Sequence, residues 1–323
     1  MNRLICFCEA LLLVLCMASC NRSDGLEGGE YRQAMRDFVV RISETARACD
    51  SDFIVVPQNG VELMVSETGA EIRLAATYLA AIDGQGQEDL FYGYLADEQL
   101  TPLSETDRML GYLRRMKQLG KSVLVTDYCE EPEHVSYARH CCEEEGFVSF
   151  ASPSRGLDCI PSGSPNGENS DDIARLGEVK NFLYLINPEN FTSKTSFVDA
   201  VCATNYDLLI IDLFFNDGES FTPEEVARMR VKSNGGHRLV ICYMSIGEAE
   251  DYRYYWQPFW NRHRPQWLGK ENPDWPGNYK VHYWNKEWQE IICGAGDSYL
   301  KRVLQAGFNG VYLDLVDAYE YYE

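Results

Sequence analysis

The sequence predicts an α/β protein whose parallel strands close into a single barrel of eight strand–helix units. Three observations carry that expectation. Eight candidate strands, Asp52–Pro57, Leu90–Tyr94, Ser122–Asp127, Asn181–Ile186, Asp207–Leu213, Arg238–Tyr243, Tyr279–Tyr283 and Gly310–Val316, are mostly separated by helical patterns. Some of these strands, Gly310–Val316 above all, are nearly continuous apolar runs, as strands covered on both faces must be. Acids stand at strand ends (Asp127, Asp212, Asp314), where the carboxyl face of such a barrel builds its site.

The elements follow in chain order. Residues 1–20 read as a processing segment: Arg3, then the apolar Ala10–Ala18, too short to cross a bilayer. Met17-Ala18-Ser19-Cys20 resembles a bacterial lipobox, so Cys20 is the expected lipidation site of an exported, membrane-anchored lipoprotein. Met35, Phe38, Val39, Ile42 and Ala46 share one face of a helix ahead of the first strand. Ser104 with Asp107 resembles a capping box, and Thr222-Pro223 with Glu225 is a fuller one. Trp288, Ile291 and Ile292 start a helix that Gly294 and Gly296 are expected to break.

Ser162–Ser170 contains no apolar residue and reads as part of a linker, 162–180, between barrel parts at 21–161 and 181–323. Three candidate strands lie before it and five after, so two independent domains are less favoured than one shared barrel.

The formal charge of −21 argues against a nucleic-acid partner or an anionic lipid surface. Cysteines beyond Cys20 show no CxxC pair, and the five histidines show no ligand spacing, so no metal site and no cofactor is expected. No Ser-His-Asp set emerges, and neither HIGH nor KMSKS is present.

Several segments together resemble glycoside hydrolase family 114, related to endo-α-1,4-polygalactosaminidase, in a branch once labelled as related to cysteinyl-tRNA synthetase. They are VICYMSIGEAEDYRYYW (240–256), WLGKENPDWPGNYKVHYW (267–284), GFNGVYLDLVDAYEYYE (307–323), DFIVVPQNG (52–60), AIDGQGQEDLFYGY (81–94) and GKSVLVTDY (120–128). The resemblance implies a (β/α)8 TIM barrel. It also implies circular permutation, because the segment like 181–322 precedes the segment like 31–161 in that family.

The resemblance further implies that Asp314 and Glu88 are the catalytic pair. Asp314 would be nucleophile or base and Glu88 general acid, with the roles exchangeable and Asp89 the rival of Glu88. Asp212, Glu248 and Asp127 at strand ends, Asn59 in PQNG, Asp317, Tyr252, Arg253 and Trp275 are the expected substrate-binding residues, since sugar faces pack on rings and hydroxyls pair with amides and acids. The expected activity is hydrolysis of an internal bond in an extracellular or cell-envelope polysaccharide containing galactosamine, by a monomer. The alternative is a carbohydrate-binding lipoprotein without catalysis.

Overall fold

The structure, a computed structural model, describes Leu26, residues 30–68 and residues 71–323. The processing segment and Cys20 lie outside the described residues. Eight parallel strands organise the chain: β1 (Ile54–Pro57), β2 (Gly84–Glu88), β3 (Ser122–Tyr128), β4 (Val148–Ser152), β5 (Phe182–Leu185), β6 (Leu208–Ile211), β7 (Leu239–Ser245) and β8 (Gly310–Asp314). One sheet runs β1-β8-β7-β6-β5 and a second runs β2-β3-β4.

The last strand pairs with the first in parallel, Ile54 opposite Gly310 and Pro57 opposite Leu313. A parallel bridge between Gln58 and Gly86 connects the two sheets beside β1 and β2, reinforced by the Asn59 N–H donating to the Gly86 carbonyl at 2.9 Å. On the other flank, Phe150 of β4 meets Phe182 of β5, ring centroids 5.4 Å apart.

Helices cover the strands. α1 (Glu30–Arg47) buries the face expected of it, Met35, Phe38, Val39, Ile42 and Ala46. α2 (Ala76–Ala81), α3 (Leu103–Gln118) and α4 (Pro132–Glu145) follow β1, β2 and β3. α5 (Lys194–Cys202) and α6 (Pro223–Met229) follow β5 and β6. The Thr222 box forms: its side chain accepts from the Glu225 N–H at 3.2 Å and Glu225 accepts from the Thr222 N–H at 2.8 Å. The expected break at Gly294 separates α7 (Lys286–Cys293) from α8 (Tyr299–Ala306).

Four expectations change. Leu90–Tyr94 is not a strand; its apolar side chains plug the loop after β2, which is the polar run GQGQE. Tyr279–Tyr283 is not in the parallel array either. Asn278–Val281 pairs antiparallel with both Glu248–Glu250 and Leu268–Glu271 in a small sheet after β7. Val148–Ser152, unread in the sequence, supplies a parallel strand. Ser104 does not cap α3, because Pro102, at φ −53° and without an N–H, stands at the cap and the helix begins at Leu103.

Inside the strands, aromatic packing sets the floor of the site. The Tyr184 and Tyr312 rings meet edge-on at 5.2 Å. Gly86 makes room for them: a Cβ there would lie 2.0 Å from the Tyr312 Oη. The segment 162–180 is held to the opposite end. Asn169 donates to both carboxylate oxygens of Asp207 at 3.1 Å. Lys232, fully buried, donates to Asp207 and to the Asn169 carbonyl, each at 3.0 Å.

Candidate active site

Side chains alternate faces along a strand, and the inward set at the carboxyl ends defines one cavity of about 370 Å³. Gln58 after β1, Glu88 of β2, Tyr128 of β3, Tyr184 of β5, Asp212 after β6, Tyr243 of β7 and Asp314 of β8 all line it. Seven strands thus converge on one volume. Glu88 and Asp314 are separated laterally by β1 alone, so their backbones stand about 10 Å apart, two strand spacings.

Glu88 is held by three donors. Tyr128 Oη donates to Oε1, and Gln58 Nε2 to Oε2. Asn59 Nδ2 donates to Oε2 at 3.1 Å. Tyr184 Oη in turn donates to Gln58 Oε1 at 2.7 Å, fixing which end of that amide faces the acid. Burial raises the Glu88 pKa, the charge of Asp314 raises it further, and the donors oppose both.

Asp314 accepts from Tyr243 Oη at 2.6 Å and from the Leu315 N–H at 2.8 Å. Burial pushes its pKa up to about 6 against those two donors. Non-glycine residues with left-handed backbone cluster at these strand ends: Asn59 (φ 59°), Asp89 (φ 58°) and Leu315 (φ 58°). Such conformations are costly and persist where the surroundings over-determine them.

The other expected residues divide by what they touch. Asp212 receives both ends of the Arg253 guanidinium, at 2.8 and 2.6 Å. Glu250, which sequence reasoning passed over, takes the same group at 2.5 and 3.1 Å. Arg253 is therefore committed to two buried carboxylates and is not a free cation for substrate. Glu248 accepts from Asn272 at 3.0 Å and Tyr321 at 2.9 Å on one oxygen, while its buried Oε2 has no protein partner. Asp317 lines the cavity half-buried, its pKa well above the ordinary range through burial and the charge of Asp314. Tyr252 and Trp275 stand exposed on the rim.

Asp127 is a correction. It faces away from the cavity, accepting the N–H groups of Phe91 at 2.7 Å and Tyr92 at 2.9 Å. Tyr128, its neighbour on the opposite face of β3, points in instead. Asn59 spends its amide on Glu88: Oδ1 accepts the Glu88 N–H at 3.0 Å, so it positions the acid. Asp89 pairs with Arg155 at 3.0 Å and does not line the cavity, which separates it from Glu88. Gln58, Tyr128, Tyr184 and Tyr243 carry the site as much as the acids do. Gln58 stands beside Asn59 in PQNG, where the sequence offers amides at a strand end, whereas Tyr128, Tyr184 and Tyr243 sit within apolar strands and carried no signal of their own.

Parallel strands under helices, with a carboxylate-rich cavity at the strand carboxyl ends, define the class of α/β protein that builds its site at that end of the sheet. Comparison narrows this to a likeness: the profile of glycoside-hydrolase family GH114 matches residues 182–323, so that stretch is similar to the family. Asp314, Glu248, Asp212 and Asp317 lie inside the matched stretch and Glu88 outside it. An uncharacterized protein of Methanocaldococcus jannaschii is 39% identical over 160 residues, covering 49% of this chain and 42% of that one. Uncharacterized proteins of Thermotoga maritima (41% identical, 38% of this chain, 36% of that one) and Deinococcus radiodurans (44%, 38% and 37%) are similar too. The chain thus spans about two fifths of the length of the curated relatives it matches.

Proposed function

We propose that this protein is a glycosidase using Asp314 and Glu88 as its two carboxyl groups. The observation that carries the reading is their placement: two strand-end acids flanking β1, facing one cavity, each held by its own hydrogen bonds. In the proposed reaction the glycosidic C–O bond breaks and its electron pair passes to the leaving oxygen, which takes the proton of Glu88. Asp314 attacks the anomeric carbon or deprotonates the water that does. At neutral pH Asp314, at about 6, is mostly ionised. That charge favours retention of the proton on Glu88.

The eight strands are proposed to form one closed barrel, with the Gln58–Gly86 bridge and the Phe150–Phe182 contact as its two joints. Because β8 pairs with β1, a permuted chain order is compatible with that closure. Charge supports an amino-sugar polymer as substrate. Arg253 answers Asp212 and Glu250, and Arg155 answers Asp89 and Asp97, which leaves Asp314 and Glu248 facing the cavity with no cation in hydrogen-bond contact among the described residues. Export as a lipoprotein anchored at Cys20 would place the enzyme beside an envelope or extracellular polysaccharide.

The test is hydrolysis of amino-sugar polymers, α-1,4-linked galactosamine first, by the wild-type protein, Glu88→Gln and Asp314→Asn. Each variant should lower kcat by about 10²–10⁴-fold with its Tm retained. Turnover that survives either substitution refutes the assignment. Binding without any turnover in the wild type points to a carbohydrate-binding protein instead.

A further inference from the structure

A second cavity, of about 470 Å³, lies against the first. The two share the border formed by Ile186, Asn187, Asp212, Tyr252 and Arg253. Beyond that border the second cavity is walled by the turn after β5, which carries Pro188 and Glu189, and by the turn after β6, which carries Phe214, Phe215 and Asn216.

We propose that this second cavity is a sugar subsite, holding the units of a polysaccharide that continue past the cleaved bond, with Tyr252 as the platform between the two volumes. The inference rests on the glycosidase reading above. Three features of the walls support it.

The border is stiff. Arg253 is locked by Asp212 and Glu250 and lies under two rings, 5.2 Å from the Tyr252 centroid and 5.5 Å from that of Phe214. Tyr252 is anchored through its hydroxyl, which donates to Glu250 at 2.7 Å, yet the residue remains 59% exposed. A ring pinned at its tip and open on its surface is what the C–H face of a sugar packs on.

The far wall is preorganised. Phe214 bridges Ser220, and the Phe215 N–H donates to the Glu219 carbonyl at 2.9 Å, closing the turn after β6. Asn216 Nδ2 donates to the Pro188 carbonyl at 2.9 Å and ties that turn to the one after β5. A ligand entering here needs little loop ordering.

The chemistry suits a neutral or cationic sugar. Apolar surface from Phe214, Phe215, Ile186 and Pro188 alternates with the amides of Asn187 and Asn216. The charge of Arg253 is already answered, and Glu189 is the acid left at the rim. An anionic polymer would find no free cation in this lining.

The experiment is a length series. Oligomers of α-1,4-linked galactosamine, from dimer to octamer, are offered to the wild-type protein, to Asn216→Trp, whose indole fills the cavity, and to Asn216→Ala, which leaves it open. The reading is the gain in kcat/KM between the shortest oligomer cleaved and the octamer. In the wild type that gain should be about tenfold or more, the effect of about 1.4 kcal/mol from added contacts. It should fall to near one in Asn216→Trp and only in part in Asn216→Ala, which loses one amide and its tie to Pro188 but leaves the volume open. Tm for each variant shows that the fold is retained.

A wild-type protein indifferent to length, or an Asn216→Trp variant with the full gain, overturns the subsite and leaves the glycosidase reading standing. A wild-type protein that neither cleaves nor binds any oligomer of the series sinks both.

Discussion

Removing one hydroxyl should move the pH dependence of the proposed hydrolysis. Tyr243 Oη donates to Asp314 Oδ2 at 2.6 Å, and Tyr243→Phe keeps the ring while deleting that donor. A hydrogen bond to a charged acceptor contributes about 1.5–3 kcal/mol, and one pH unit corresponds to about 1.4 kcal/mol. The bond favours the carboxylate, so its loss raises the Asp314 pKa from about 6 by about one to two pH units. At pH 7 the ionised fraction then falls from about nine tenths to between about one half and one tenth. If Asp314 acts as the ionised nucleophile or base, kcat/KM at pH 7 drops about two- to tenfold, and the acidic limb of its pH profile moves upward by the same amount. The assay is that profile for wild type and variant on one substrate, with Tm as a control for packing. An acidic limb at the wild-type pH refutes the role of Asp314 as the ionised group, whatever happens to the absolute rate.

Other consequences concern stability. Asp127 is buried with its pKa pushed up to about 7, and its Oδ2 lacks a partner. An acid raised in the folded state contributes stability that is present below its ordinary value of 3.8 and lost as pH climbs to about 7. Both N–H bonds fall on Oδ1, so Asp127→Asn can keep them, and urea unfolding across about pH 4 to 7 should show a shallower decline than the wild type. Gly86→Ala drives a Cβ to 2.0 Å from Tyr312 Oη and 2.5 Å from its ring; it should cost about 1–3 kcal/mol, with partial recovery when combined with Tyr312→Val in a double-mutant cycle. Lys232→Met strands the buried Asp207 and should cost about 3–5 kcal/mol; adding Asp207→Asn should return part of the lost Tm.

Local signals accounted for much of the fold. Val311, Leu313 and their neighbours read as a buried strand because every position of β8 short of Asp314 is enclosed. The helix of Met35, Phe38 and Ile42 and the Thr222 box were readable because helical periodicity and capping act within a few residues. Strand β2 was not readable. Its sequence GQGQE has no apolar pattern, since Gly86 must yield to Tyr312 and Glu88 must face the cavity. The apolar LFY that follows drew the strand expectation to itself, although it packs under a loop. Val148–Ser152 escaped because only Phe150 and Ser152 of VSFAS are fully buried, too little to show alternation. Asp127 was misassigned because a strand-end acid looks alike on either face; one residue of register sends it outward and Tyr128 inward.

By itself, then, the chain's sequence determined the α/β class and the helix faces and caps, since each of these depends on residue type and short-range spacing, while the two acids worth testing were what its resemblance to a known family implied. Only the tertiary structure decided which acids share a cavity, that Arg253 is already matched by Asp212 and Glu250, and that Tyr128, Tyr243 and Gln58 hold the pair in place. The reason is distance along the chain. Gln58, Tyr128, Tyr243 and Asp314 come from four separate strands, and a hydrogen bond between such partners exists only once the sheets have brought their ends together.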